Sequence, residues 1–143
     1  MSETKAIKSQ RVVFPSEVKP ATLLITNGRI QSIRDYDFEC EAQDYGPLAI
    51  LPGLIDPHVH FNEPGRTEWE GWETGTRAAI AGGVTTVVDM PLNCIPSTVD
   101  RASLRDKRDS MRGKLSCDVA SGVERSQATP LTSRLSLRRV LSA

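Results

Sequence analysis

Between residues 48 and 119 the chain changes character at regular intervals, and that alternation limits its fold more than any other feature. Leu48-Ala49-Ile50-Leu51 and then Leu54-Ile55 are apolar without alternation, as in strands buried on both faces. A helix is expected over residues 67–83. Thr67 and Glu70 form its capping box, with a later start near Trp72 as the alternative, and Gly82-Gly83 end it. Val84-Thr85-Thr86-Val87-Val88-Asp89-Met90 follows, rich in β-branched residues and stopped by Pro91. A second helix is expected over residues 99–112, capped by Ser97 or Thr98 and stopped by Gly113, and residues 115–119 open a third strand. Strand, helix, strand, helix, strand is the order of a parallel α/β fold.

The first fifty residues read differently. Arg11-Val12-Val13-Phe14 is a short strand closed by Pro15. Residues 21–26 and 29–33 flank Asn27-Gly28, the two-residue turn in which both positions take positive φ, so a hairpin is expected. The acidic stretch 35–44 is a loop or an edge strand. Residues 120–143 carry Arg125, Arg134, Arg138 and Arg139 against Glu124, without an aromatic residue, and read as a basic, disordered tail. A short helix through Leu131, Leu135, Leu137 and Leu141 is the lesser alternative.

Composition excludes more than it selects. The 143 residues hold 18 basic and 18 acidic side chains, so net charge gives no reason to expect nucleic acid or a membrane surface as partner. No apolar run approaches the roughly 20 residues that span a bilayer. The N-terminus has no apolar signal core. Cys40, Cys94 and Cys117 show no metal-type spacing and are expected as reduced thiols. A cytoplasmic protein is the expectation, with a mitochondrial one as the alternative.

The chemistry concentrates in Pro52-Gly53-Leu54-Ile55-Asp56-Pro57-His58-Val59-His60, which contains both histidines of the chain. Residues i and i+2 of a strand share a face. His58 and His60 therefore project together and suit a divalent metal such as zinc. Asp56 is expected to orient the strand end or a histidine rather than to bind metal. Asn62 either lines the pocket or caps a loop. Glu63, Arg66 and Glu68 read as solvated, and Trp69 and Trp72 either cover the site or, as the favoured reading, pack on the barrel rim. Asp89 receives no role.

That stretch resembles the first-strand signature of the amidohydrolase superfamily. Asn62-Glu63-Pro64-Gly65-Arg66-Thr67, Gly82-Gly83-Val84-Thr85-Thr86 and Met90-Pro91-Leu92-Asn93 are similar to its allantoinase branch. Dihydroorotases usually place an arginine where this chain has Asn62. The resemblance implies the N-terminal part of a (β/α)8 barrel, preceded by strands of a small β-sandwich. It implies domains at 1–50 (sandwich), 51–119 (barrel) and 120–143 (tail). It also implies a two-zinc centre bridged by a carboxylated lysine and a hydroxide, with His58 and His60 as ligands and Asn93 and Asn62 at the substrate. The substrate would be allantoin, opened to allantoate, and the intact enzyme a homo-oligomer, commonly a tetramer.

The chain departs from this pattern. It has no third histidine and no lysine beyond Lys114, so the family's bridging lysine and later histidines have no counterparts, and its general-base aspartate is also missing. A barrel of this class needs roughly 250 residues. The expectation is a truncated product with an incomplete barrel, inactive alone, in which residues 84–90 lie exposed and aggregation-prone. The alternatives are a non-catalytic form that binds full-length subunits and a dihydropyrimidinase-like hydrolase.

Overall fold

The computed structural model describes residues 4–122 and 136–138. The chain divides between Pro52 and Gly53 into two compact units.

In the first unit, β1 (Thr4–Val13), β2 (Val18–Thr26) and β3 (Arg29–Arg34) form an antiparallel meander. Asn27 (φ 51°) and Gly28 (φ 70°) make the tight turn between β2 and β3, as the Asn-Gly pair predicts. The short strands β4 (Gln43–Asp44) and β5 (Ala49–Ile50) both add to β1 in parallel. The β1–β2 register slips between Ser9 and Val12. There the buried Ser9 hydroxyl donates to the Leu48 carbonyl at 2.5 Å and accepts from the Arg11 amide at 2.8 Å, so the irregular backbone keeps its partners. Val12, Ala21 and Leu23 form the small core, with Ile7, Phe14 and Ile50 against it. Among the described residues this unit has one sheet, a single layer of the expected sandwich.

The second unit carries the alternation. β6 (Leu54–Val59), β7 (Val84–Asp89) and β8 (Asp118–Ser121) run parallel in that order, joined by α1 (Trp72–Ala81) and α2 (Arg101–Ser110). β9 (Ser136–Arg138) pairs antiparallel with β8, within the stretch read from sequence as a tail. The rest of that stretch beyond Gly122, with the alternative helix through Leu131, Leu135 and Leu141, lies outside the described residues. Phe61, Trp72, Val87, Cys117 and Val119 make the core, and the Phe61 and Trp72 rings lie 4.8 Å apart.

Several expectations need correction. β7 is not the exposed strand: it is paired on both sides, with Val87 and Asp89 buried. The exposed strand is β6, at the sheet edge, where Leu54 and Ile55 are 58% and 67% exposed rather than buried on both faces. The Thr67–Glu70 capping box does not form. α1 starts at Trp72, whose amide is taken by the carboxylate of Glu63 at 3.1 Å, while Glu70 accepts from the Thr74 hydroxyl. α2 is capped by Asp100 rather than Ser97 or Thr98. Asp100 accepts from the Ser103 amide at 2.8 Å and the Ser103 hydroxyl bonds back to the Asp100 amide, a reciprocal pair that neither earlier residue has.

Candidate metal centre

The site forms where β6 and β7 end, at their carboxyl termini. β6 pairs with β7 through Asp56↔Val87 and Val59↔Asp89, so β6 carries one residue more than its partner over this step. The extra residue falls at Pro57-His58, at the sheet edge, where a proline without an amide is tolerated. Asp56 Oδ1 accepts the His58 amide at 3.0 Å and folds the bulge back on itself.

Despite the bulge, the two imidazoles converge. His58 Nε2 and His60 Nε2 are 3.3 Å apart, with ring centroids at 5.2 Å and planes inclined by 63°. Two nitrogens each bound to one tetrahedral zinc-like ion stand about 3.3–3.4 Å apart, from metal–nitrogen distances of about 2.0–2.1 Å. The pair thus fits one divalent metal in donor type and separation. It fits only in part by number, because among the described residues no third histidine, cysteine, aspartate or glutamate joins it. His60 Nδ1 is buried and has no hydrogen-bond partner there.

Asn62 is buried, and its backbone closes the loop after His60: its amide donates to the Glu70 carbonyl and its carbonyl accepts from the Arg66 amide, each at 2.9 Å. Asn93 is exposed and left-handed (φ 70°), in the loop that follows β7. The two loops touch. The Ile95 amide donates to the Pro64 carbonyl at 2.8 Å, and Gly65 (φ 93°) lies so close to Ile95 that an added Cβ would fall 2.6 Å from the Ile95 Cβ.

Glu63, Trp69, Asp89 and Lys107 differ from, or were missed by, the sequence reading. Glu63 is not solvated: it is 5% exposed, caps α1 and pairs with Lys114. Trp69, favoured as a rim-packing residue, is instead exposed, with the Arg66 guanidinium 4.6 Å from its ring centre. Asp89 and Lys107 are fully buried and paired at 2.5 Å. Asp89 Oδ1 accepts the Phe61 amide at 2.7 Å, and Lys107 Nζ also reaches the Met90 carbonyl and Cys94 Sγ. Burial pushes the Asp89 carboxyl above its ordinary range, while the Lys107 ammonium, the Phe61 amide and the charge of His60 pull it back. Lys107 was hidden in a run of charges, Arg105-Asp106-Lys107-Arg108-Asp109, that reads as a solvated helix face. An acid closing a β-branched strand was the only signal for Asp89.

Known proteins resemble this chain in sequence and in fold. The profile of the Amidohydrolase family matches residues 49–138. The chain is 45% identical over 132 residues to the probable allantoinase 2 of Dictyostelium discoideum, covering 82% of this chain and 26% of that protein. It is 46% identical over 124 residues to the allantoinase of Streptomyces avermitilis, covering 83% and 28%. The L-hydantoinase (dihydropyrimidinase) from Arthrobacter aurescens superposes with a TM-score of 0.67 at 23% identity, over 85% of this chain and 27% of that one. The chain therefore spans about a quarter of the length of these curated relatives.

Proposed function

The chain belongs to the amidohydrolase family, and from that membership we propose that it carries the first metal-binding elements of an allantoinase-type hydrolase, which opens the cyclic amide of allantoin to allantoate. The convergence of His58 and His60 Nε2 at 3.3 Å, in a chain about 45% identical to allantoinases, is the observation that supports this most strongly. The metal is zinc, two ions in the complete centre. When bound it supplies Lewis-acid polarisation of the amide carbonyl and a nucleophile near neutral pH.

The residues of this chain do the positioning. His58 and His60 present two nitrogens from one strand end, and Asp56 fixes the backbone between them. Asn93 and Asn62 contact the substrate from the two loops that Gly65 and Ile95 hold together. A catalytic zinc usually takes three protein ligands. His58 and His60 supply two of them. The intact enzyme is a homo-oligomer.

A hybrid tests the reading. Residues 1–122 of this chain replace the corresponding part of the Streptomyces avermitilis allantoinase. The hybrid is expected to hydrolyse allantoin and to lose that activity on His58→Ala. A folded hybrid that hydrolyses dihydropyrimidines but not allantoin would instead support the dihydropyrimidinase-like alternative.

A further inference from the structure

The buried pair Asp89–Lys107 holds no place in the site described so far, yet its contacts surround one of the two histidines. Val59 and Asp89 are register partners at the end of the sheet. The Met90 amide donates to the Val59 carbonyl at 2.8 Å, immediately before His60. Asp89 Oδ1 accepts the Phe61 amide at 2.7 Å, immediately after His60. The peptide units on either side of His60 are thus tied to two consecutive residues of β7's end. That end is itself fixed from elsewhere. The Gly122 amide donates to the Asp89 carbonyl at 3.0 Å, and Lys107 Nζ reaches both Asp89 Oδ2 at 2.5 Å and the Met90 carbonyl at 3.3 Å.

A carboxylate buried to this extent is costly unless a counter-charge and hydrogen bonds offset its lost hydration. An apolar pair of the same volume would fill the space at no such cost. Packing alone therefore does not explain why an acid stands here. A carboxylate oxygen does one thing an aliphatic side chain cannot: it accepts the Phe61 amide, where β6 has already ended and no strand partner remains for that group.

We infer that Asp89, held in place by Lys107, is a positioning residue for the metal ligand His60, acting through the Phe61 amide. It sets the direction of the His60 ring so that its Nε2 meets that of His58, and Lys107 keeps the carboxylate aimed and neutralised. This rests on the reading of His58 and His60 as ligands.

Two double variants separate positioning from stability. Asp89→Asn with Lys107→Met removes both charges but keeps an oxygen to accept the Phe61 amide. Asp89→Leu with Lys107→Met removes both charges and the acceptor. Zinc affinity of the full chain is read by competition with a chromophoric chelator, and folding by circular dichroism. The expected result is near-original affinity for the Asn/Met variant and about 10–100-fold weaker binding for the Leu/Met variant, the usual scale for loss of an outer-sphere partner. Equal affinities in the two variants, with zinc bound by the unsubstituted chain, overturn the inference but leave the histidine pair standing. No zinc binding by the unsubstituted chain overturns both. Should the Leu/Met variant not fold, the unsubstituted chain supplies the test by nuclear magnetic resonance. Zinc titration should move the Phe61 and Met90 amide resonances in step with the His60 ring nitrogens, and a Phe61 amide unmoved at saturation overturns the inference.

Discussion

Single charged side chains do most of the fixing in the second unit, and their environments make distinct predictions. Asp100 caps α2, and the Ser103 amide and hydroxyl hold its carboxyl below the ordinary range. A carboxyl lowered on folding adds stability at pH values above its unfolded pKa, and that contribution disappears as pH falls through its folded pKa. Asp100→Asn, which cannot ionise, should therefore lose this contribution at neutral pH and converge with the original chain in acid, flattening the acid side of the stability–pH curve, as followed by urea unfolding at a series of pH values. Lys107→Met is a harsher change. It leaves Asp89 buried without its counter-charge and should cost about 3–5 kcal/mol in denaturant unfolding, with much of the loss recovered when Asp89→Asn is added. These residues also mark where sequence reading ends. Glu63 and Lys107 look like ordinary surface charges along the chain, because linear charge patterning does not reveal which charges a fold will bury together. Strand period led to the expectation that His58 and His60 share a face; their rings do approach each other, but across a bulge at Pro57-His58 and with His60 just beyond the end of β6, which strand period does not foresee.

At the level of elements, pattern and punctuation were informative and tertiary caps were not. The Asn-Gly hairpin, the β-branched run of β7 and both helices follow from periodicity and breaker residues. The start of α1 at Trp72 was the alternative the sequence offered, but its cap was not legible, since the Trp72 amide is satisfied by Glu63, nine residues upstream and on a separate loop. α1 also packs against the site through Gly75, where an added Cβ would lie 2.1 Å from Phe61 Cε1. Helix propensity favours Ala over Gly by about 1 kcal/mol. Here the Phe61 ring is pinned by the fully buried Trp72, so overpacking of about 1–3 kcal/mol should win. Gly75→Ala is thus expected to destabilise, and a raised melting temperature would contradict this packing account. Trp72→Ala should cost about 3–5 kcal/mol, since it empties the centre of the core and removes the 2.8 Å bond from Nε1 to the Ser110 hydroxyl.

For the molecule as a whole, the fold class was legible and the consequence of an open sheet was assigned to the wrong strand. Parallel-sheet strands read as apolar runs, so sequence alone cannot tell a central strand from an edge strand. The structure places β7 inside and leaves β6 with Leu54 and Ile55 exposed along an unpaired edge among the described residues. Such an edge templates pairing with another chain, and a lysine there blunts it. Ile55→Lys should therefore reduce concentration-dependent self-association, measured by sedimentation velocity. The same edge strand carries the histidines. The most direct test of a shared metal site is a zinc titration of the purified chain followed through the ring nitrogens of His58 and His60 by nuclear magnetic resonance. Both Nε2 resonances should shift together on one binding curve, and His58→Ala should abolish the shift at His60. Ring nitrogens that stay unmoved, or a His60 response that survives His58→Ala, would contradict a shared metal site.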